Sequence, residues 1–151
     1  GSPFADYFRT QANDWGGRHA AGFLTGSIDA LFRLDVEGQQ KFVVVDYKSN
    51  NLTRFNAAHS YCYESMRAAM MASGYPLQAL IYSVATHRFL RSRMNGYDPA
   101  VHLGGCGYLF MRGMIGENTP VVDGVADGVF VWRPSTELVI GADRVLGGGD
   151  A

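Results

Sequence analysis

Hydrophobic and polar positions follow two different periods along this chain. Between Ile28 and Tyr47 the apolar residues fall into two short runs, the first rich in Ile, Leu and Phe and the second built on Phe42-Val-Val-Val45. Such runs, bounded by turn formers, read as β-strands. Glu37-Gly38 separates them, and glycine takes the positive φ of a tight hairpin turn without steric cost. The stretch from Gly22 to Asn50 therefore predicts a β-hairpin. Three consecutive valines predict a second strand covered on both faces. From Pro76 to about Met94 the spacing changes, with Leu77, Leu80, Ile81, Val84 and Leu90 forming the stripe of a helix. Another helical composition spans roughly 57–72, with Gly74 placed as a C-cap and Pro76 in the first turn of the next helix.

The remaining elements are shorter. Residues 3–20 are weakly patterned and predict a short helix and then a loop. Tyr97-Asp98-Pro99 breaks the helical pattern, and Gly104-Gly105 leads into a strand from Cys106 to Met111. Residues 113–127, rich in Gly, Asn, Pro and Asp, predict an irregular excursion. Val129-Phe-Val-Trp132 predicts a strand able to pair with 106–111. Ser135 is placed to cap a last helix ending near Leu146. The order β-β-α-α-β-β-α predicts the α/β class, with a central mixed β-sheet flanked by helices.

Composition narrows the picture. At 151 residues the chain is one domain by length, and 47% hydrophobic residues supply a core. Its patterned part is 22–146, between a lead-in over 1–21 and a glycine-rich tail over 147–151. Gly1-Ser2 reads as an expression remnant. A charged fraction of 18% is low and points to surface that rests against other chains. The net charge of −1 provides no global basic field for nucleic acid, leaving only local patches. No apolar run of about 18 residues predicts a membrane span. Cys62 and Cys106 make neither a metal nor a disulfide framework and read as reduced, buried thiols of a cytoplasmic protein.

The hairpin carries the chemistry. A turn centred on Glu37-Gly38 sets Asp29 opposite Asp46, with Cβ atoms about 5 Å apart. Lys48 shares that face, about 6.6 Å further along the strand. Opposed carboxylates repel, so they call for a cation between them or a shifted pKa. Two aspartates suit a hard ion such as Mg²⁺, and a lysine beside it would hold a water or a phosphate oxygen. The inference depends on register, since a slip of one residue sends Asp29 to the other face.

Four blocks in order carry a resemblance: Gly26-Ser-Ile-Asp29, Val45-Asp-Tyr-Lys-Ser-Asn50, Tyr75-x-x-Gln78-x-x-x-Tyr82 and Gly107-Tyr-Leu-Phe-Met-Arg-Gly113. An isolated Asp-x-Lys is common, but the ordered set is specific. It resembles the restriction-endonuclease-like nucleases, and among them the nuclease domains of the RecB family, from about Gly22 to near the C-terminus. The resemblance implies a restriction-endonuclease-like fold and a Mg²⁺-dependent exodeoxyribonuclease of the exodeoxyribonuclease V type. Asp29 and Asp46 would bind the metal with the backbone carbonyl of Tyr47. Lys48 would act at the phosphate, and Gln78 and Tyr82 would lie beside the site near DNA. It further implies a C-terminal fragment of a larger helicase–nuclease subunit, acting on single- and double-stranded DNA in double-strand break processing and recombination. RecC-like and RecD-like subunits and the RecA recombinase are the implied protein partners. No Gly-x-x-x-x-Gly-Lys-Ser/Thr phosphate loop occurs in these residues. Relatives of this kind usually bring another His or Glu ligand from an upstream helix, for which there is little room before Gly22.

Each residue also has a plainer reading. His19 is read as a loop histidine rather than a ligand, and Arg54 as solvated. Tyr61, Tyr63 and the methionine run face a core more readily than they stack on bases. Gln78 and Tyr82, one helical turn apart, either serve the site or tie the helix to the sheet. The basic helix end, His87 to Arg93, complements the helix dipole, with a phosphate or protein contact as the sharper reading. Arg112 is either solvated or a phosphate contact. At the level of function, a non-cutting interaction module that docks partner subunits and recruits RecA stands as the alternative, and a nuclease fold without activity as a third.

Overall fold

The computed structural model describes residues 2–15, 25–52 and 60–147. A helix α1 (Ala5–Trp15) precedes a hairpin of β1 (Ala30–Val36) and β2 (Gln39–Lys48). Helices α2 (Tyr63–Ala72), α3 (Tyr75–Arg93) and the one-turn α4 (Pro99–His102) lead to β3 (Leu103–Phe110). A small hairpin, β4 (Val121–Val122) and β5 (Val125–Ala126), precedes β6 (Val129–Trp132) and α5 (Thr136–Val145). The main sheet has the order β1-β2-β3-β6. Its β2–β3 pair is parallel and its two outer pairs are antiparallel, so the sheet is mixed. Among the described residues no helix is long and apolar enough to cross a membrane.

The hairpin forms in the expected register, from Val36 opposite Gln39 to Ala30 opposite Val45. Glu37 and Gly38 both have positive φ, 54° and 77°, the twist that suits a two-residue hairpin. Asp35 Oδ1 accepts a hydrogen bond from the Gly38 N–H at 2.9 Å and locks the turn. The first strand is shorter than its sequence predicts: pairing starts at Ala30, 25–28 carry no ladder, and 22–24 lie outside the described residues.

Helices α2 and α3 meet at Gly74, whose φ of 69° lets the chain reverse between them. Helix α2 is described from Tyr63, and the first residues of its predicted span fall outside the description. Ser135 caps α5 as expected, accepting from the Leu138 N–H at 3.2 Å. The predicted irregular stretch contains the β4–β5 hairpin, which the two-residue strands left invisible to pattern.

Strand β3 starts three residues before its predicted beginning. Gly104 and Gly105 lie inside it, at an irregularity opposite Phe42 and Val43. A Cβ on Gly104 would stand 2.6 Å from Val43 Cγ2, and one on Gly105 would stand 2.6 Å from the Trp132 carbonyl. These glycines permit close strand packing rather than announce a strand.

One face of the sheet is covered. Val44, Cys106, Tyr108, Phe110, Phe130 and Trp132 pack with Met66 and Met70 of α2 and Ala79 of α3. Phe4, fully buried in a stretch that seemed weakly patterned, anchors α1 edge-on against Trp132, ring centroids 5.0 Å apart. Met66 and Met70 are core residues and Tyr61 packs partly buried against them, as the plainer reading held, whereas Tyr63, placed with them by that reading, is 45% exposed. The opposite face carries Phe32, Leu34, Tyr47 and Val131, all exposed. Strand β2 is nonetheless buried on both faces at Val44 and Val45, as the valine run predicted, while the second face opens to solvent at Tyr47. Cys106 is buried and free, while Cys62 is free but only partly buried. Burial pushes the Cys106 thiol up to about 12, which keeps it unreactive.

The basic end of α3 is tied to α5. Arg88 and Arg91 both bond the carboxylate of Asp143, which is 3% exposed. His87 Nε2 lies 3.9 Å from the same carboxylate, and its Nδ1 lies 3.0 Å from the Tyr97 hydroxyl. These cations thus serve the fold as well as the helix dipole. Burial lowers the His87 pKa, Asp143 opposes this, and Arg91 and Arg88 reinforce it. The folded imidazole consequently stays neutral at pH values where the unfolded one, with its ordinary pKa of about 6.5, is protonated. Its contribution to stability is complete above that value and is lost as pH falls toward the lower folded pKa. Urea unfolding free energy should decline as pH drops below about 6.5, and His87→Gln should flatten that decline. An unchanged slope in the variant would count against this assignment.

Candidate functional site

The covered face of the sheet holds a small polar site among its apolar residues. Val44, Asp46 and Lys48 alternate with Val43, Val45 and Tyr47 on β2, so the first three point toward the helices. Asp46 and Lys48 are 5% and 8% exposed. Lys48 Nζ lies 2.7 Å from Asp46 Oδ2. It also donates to Gln78 Oε1 at 3.2 Å and sits 3.7 Å from the centroid of the Tyr75 ring. The Tyr108 ring is next, at 5.2 Å. Buried charges need such partners, because taking an ion out of water costs several kcal/mol.

Gln78 and Tyr82 extend the site. Gln78 gives its carbonyl oxygen to Lys48, and its Nε2 donates to the Tyr82 hydroxyl at 3.0 Å. Tyr82 in turn donates to the Ser27 carbonyl at 2.7 Å. Helix α3 is thereby tied to β2 and to the segment just before β1, as the plainer reading of the pair held, and the tie to β2 runs through the lysine. Burial and then the Asp46 carboxylate raise the Tyr82 pKa, with a smaller contribution from Asp29; the bond from Gln78 opposes them. Both aspartates therefore act electrostatically on one hydroxyl.

Asp29 does not stand in the strand beside Asp46. It lies in the bend just before β1, exposed, and its Oδ2 accepts the Tyr47 N–H at 3.0 Å. A carboxylate thus extends the ladder where the backbone of β1 has ended. The expected repulsion between opposed carboxylates is relieved within the protein: Asp46 pairs with Lys48, and Asp29 with an amide. The Tyr47 carbonyl leaves the strand on the same side as its N–H, toward Asp29. Asp29, Asp46 and the Tyr47 carbonyl offer only oxygen donors, a chemistry suited to a hard divalent cation. Among the described residues no group of three His, Cys, Asp or Glu side chains converges. His19 and Arg54 lie outside the described residues.

Tyr75 and Tyr108 were not predicted as site residues. Tyr108 is fully buried opposite Asp46 in the parallel ladder. Its hydroxyl lies 3.3 Å from the Tyr75 carbonyl and 3.5 Å from Gln78 Oε1. Burial drives its pKa far above the ordinary phenol value. The two rings are stacked, with centroids 6.0 Å apart. The signal was present in part, since Tyr75 is one helical turn before Gln78 and shares its face. The place of Tyr108 depends on a long-range strand pairing that no local pattern reveals. Arg112 is exposed and donates from Nε at 3.0 Å to the carbonyl of Ser49, the residue that follows Lys48.

A mixed sheet with helices on it, and an Asp-x-Lys pair where its central parallel strand ends, define the restriction-endonuclease-like α/β class. No family model matches the chain. Relatives named RecBCD enzyme subunit RecB do. That of Mycolicibacterium smegmatis is 50% identical over 128 residues, which are 83% of this chain and 11% of that protein. That of Mycobacterium tuberculosis CDC 1551 is 47% identical over 148 residues, 98% of this chain and 13% of that protein. That of Escherichia coli K12 is 37% identical over 127 residues, 84% and 10% respectively. The chain belongs to the RecB family, and it spans about a tenth of the length of these relatives.

Removing one partner of the buried pair exposes its energetics. Asp46→Ala should lower the unfolding free energy by about 3 kcal/mol, because it strands the Lys48 charge. Asp46→Ala combined with Lys48→Met should recover most of that loss in urea denaturation. A double variant no more stable than the single one would show that the pair is not the source of the cost.

Proposed function

We propose that this chain is a metal-dependent DNA nuclease domain that hydrolyses phosphodiester bonds within a RecBCD-type complex, in double-strand break processing and recombination. The observation that carries the reading is the buried Asp46–Lys48 pair at 2.7 Å, with Asp29 brought to the same strand end through Tyr47. Asp29, Asp46 and the Tyr47 carbonyl would hold Mg²⁺. Such an ion polarises the scissile phosphate and lowers the pKa of a bound water.

The chain's own groups supply the rest. Lys48 presents a cation to charge developing on the phosphate, and it is preorganised by Gln78 and Tyr75 rather than by solvent. Gln78 orients the lysine, and Tyr82 holds Gln78 to the segment that carries Asp29. Arg112, fixed at Nε, keeps its two terminal nitrogens for a phosphate at the rim. The membership of relatives in RecBCD supports DNA as the substrate and RecC-like and RecD-like subunits as partners.

The second reading, an interaction module docking partner subunits and RecA, is favoured by one observation. The uncovered face of the sheet exposes Phe32, Leu34 and Val131, an apolar surface of the kind that marks interaction sites. The two roles are compatible and occupy opposite faces.

Mg²⁺-dependent cleavage of single-stranded DNA should be lost in Asp46→Ala and Lys48→Ala, with a fall of at least about 100-fold for the lysine. Both variants should retain binding to partner subunits, whereas Phe32→Glu should weaken that binding and spare cleavage. Full cleavage by Asp46→Ala would sink the assignment of the active site.

A further inference from the structure

Lys48 sits in a setting richer than a salt bridge requires. An ammonium has three N–H donors. Asp46 lies 2.7 Å from Nζ, Gln78 Oε1 accepts at 3.2 Å, and the Tyr75 ring faces Nζ at 3.7 Å. Tyr108 lies beside Tyr75, its ring stacked on Tyr75 and 5.2 Å from Nζ, and its hydroxyl reaches the Tyr75 carbonyl. The Tyr75 hydroxyl is itself directed to Asn50 Oδ1 at 3.4 Å, which ties the ring to the residues after β2. The ring is thus held from both ends, and its negative face is turned to the cation.

This arrangement has a consequence for the proposed reaction. Asp46 is wanted in two places: by Lys48, and by a divalent ion bound at the strand end. Once its carboxylate is engaged by a metal, the lysine loses most of its anionic partner and gains a like charge nearby. Gln78 and the ring remain. A π face attracts a cation without carrying a charge of its own, so it neither recruits the metal nor competes with the phosphate for a proton. A carboxylate in the same place would do both.

We propose that Tyr75, with Tyr108 beside it, is a positioning residue that holds the Lys48 ammonium by a cation–π contact when Asp46 serves the metal. The proposal rests on the nuclease reading for its role in turnover, but the contact itself is a property of the chain without metal or DNA.

The test replaces Tyr75 with phenylalanine and then with phenylalanines bearing one to several ring fluorines. Fluorine drains the negative face of the ring with little change of shape. Tyr75→Phe should keep most of the cleavage rate. Along the fluorinated series kcat should fall stepwise, by about 2- to 30-fold in total, the span of cation–π strengths. KM for DNA should stay constant. A purely structural role for the ring would leave kcat flat across the series, and that outcome overturns the proposal.

A second measurement needs no cleavage. In the 151-residue chain the ε protons of Lys48 should show an upfield ring-current shift in the proton NMR spectrum. The shift should persist in Tyr75→Phe and shrink in Tyr75→Leu to what the Tyr108 ring, 5.2 Å from Nζ, contributes. Its absence in the unsubstituted chain would overturn the contact. A present ring-current shift in a chain that cuts no DNA would leave the contact standing and overturn its role in turnover, together with the nuclease reading.

Discussion

The site depends on a lysine and an aspartate taken out of water together. Such a pair is rarely worth its desolvation cost in stability alone, and apolar replacements of similar volume are often neutral or better. Its persistence between Val44 and the aromatic residues of β3 is therefore a statement about chemistry more than about folding. Everything around it reads as compensation. Gln78 satisfies one donor of the ammonium, Tyr75 receives another, and Tyr108 fills the floor with a hydroxyl that burial keeps neutral. Removing any of these would leave a charge with too few partners in a medium that tolerates none.

That constraint explains the topology of the site. The partners of Lys48 come from three elements far apart in sequence: β2 itself, the first half of α3, and β3. Only a crossover that returns β3 parallel to β2 places Tyr108 opposite Asp46. Only the packing of α3 on the covered face brings Gln78 over the end of β2. The same helix then reaches Ser27 through Tyr82, so the segment bearing Asp29 is fixed by the element that orients the lysine. Asp29 and Lys48, which never touch, are set by one helical turn.

Much of this was legible in the sequence because the hairpin is local. A two-residue turn fixes register, and register brings Asp29 and Asp46 to the same end. The period of α3 placed Gln78 and Tyr82 on one face, and the capping serine of α5 stood out by its position. What escaped notice depended on distance. Phe4 looked like an isolated aromatic in a polar lead-in, yet it fills the core because the sheet it meets lies more than a hundred residues on, at Phe130 and Trp132. Asp143 gave no sign of gathering two arginines and a histidine. Asp29 was expected on the face beside Asp46. The strand ends one residue earlier, and its carboxylate turns into the plane of the ladder instead.

The same ending gives Asp29 its freedom. A carboxylate standing on the covered face would be buried beside Asp46, and one of the two would have to take up a proton or a cation for the chain to fold. Placed outside the ladder, Asp29 stays in contact with solvent and needs only an amide. The hairpin can therefore form before any ion arrives, and its two acidic groups need not share one until it does. A site built this way separates the stability of the fold from the occupancy of the centre. Of the two acidic groups of the site, Asp46 is the one committed to the interior, and Lys48 answers it there.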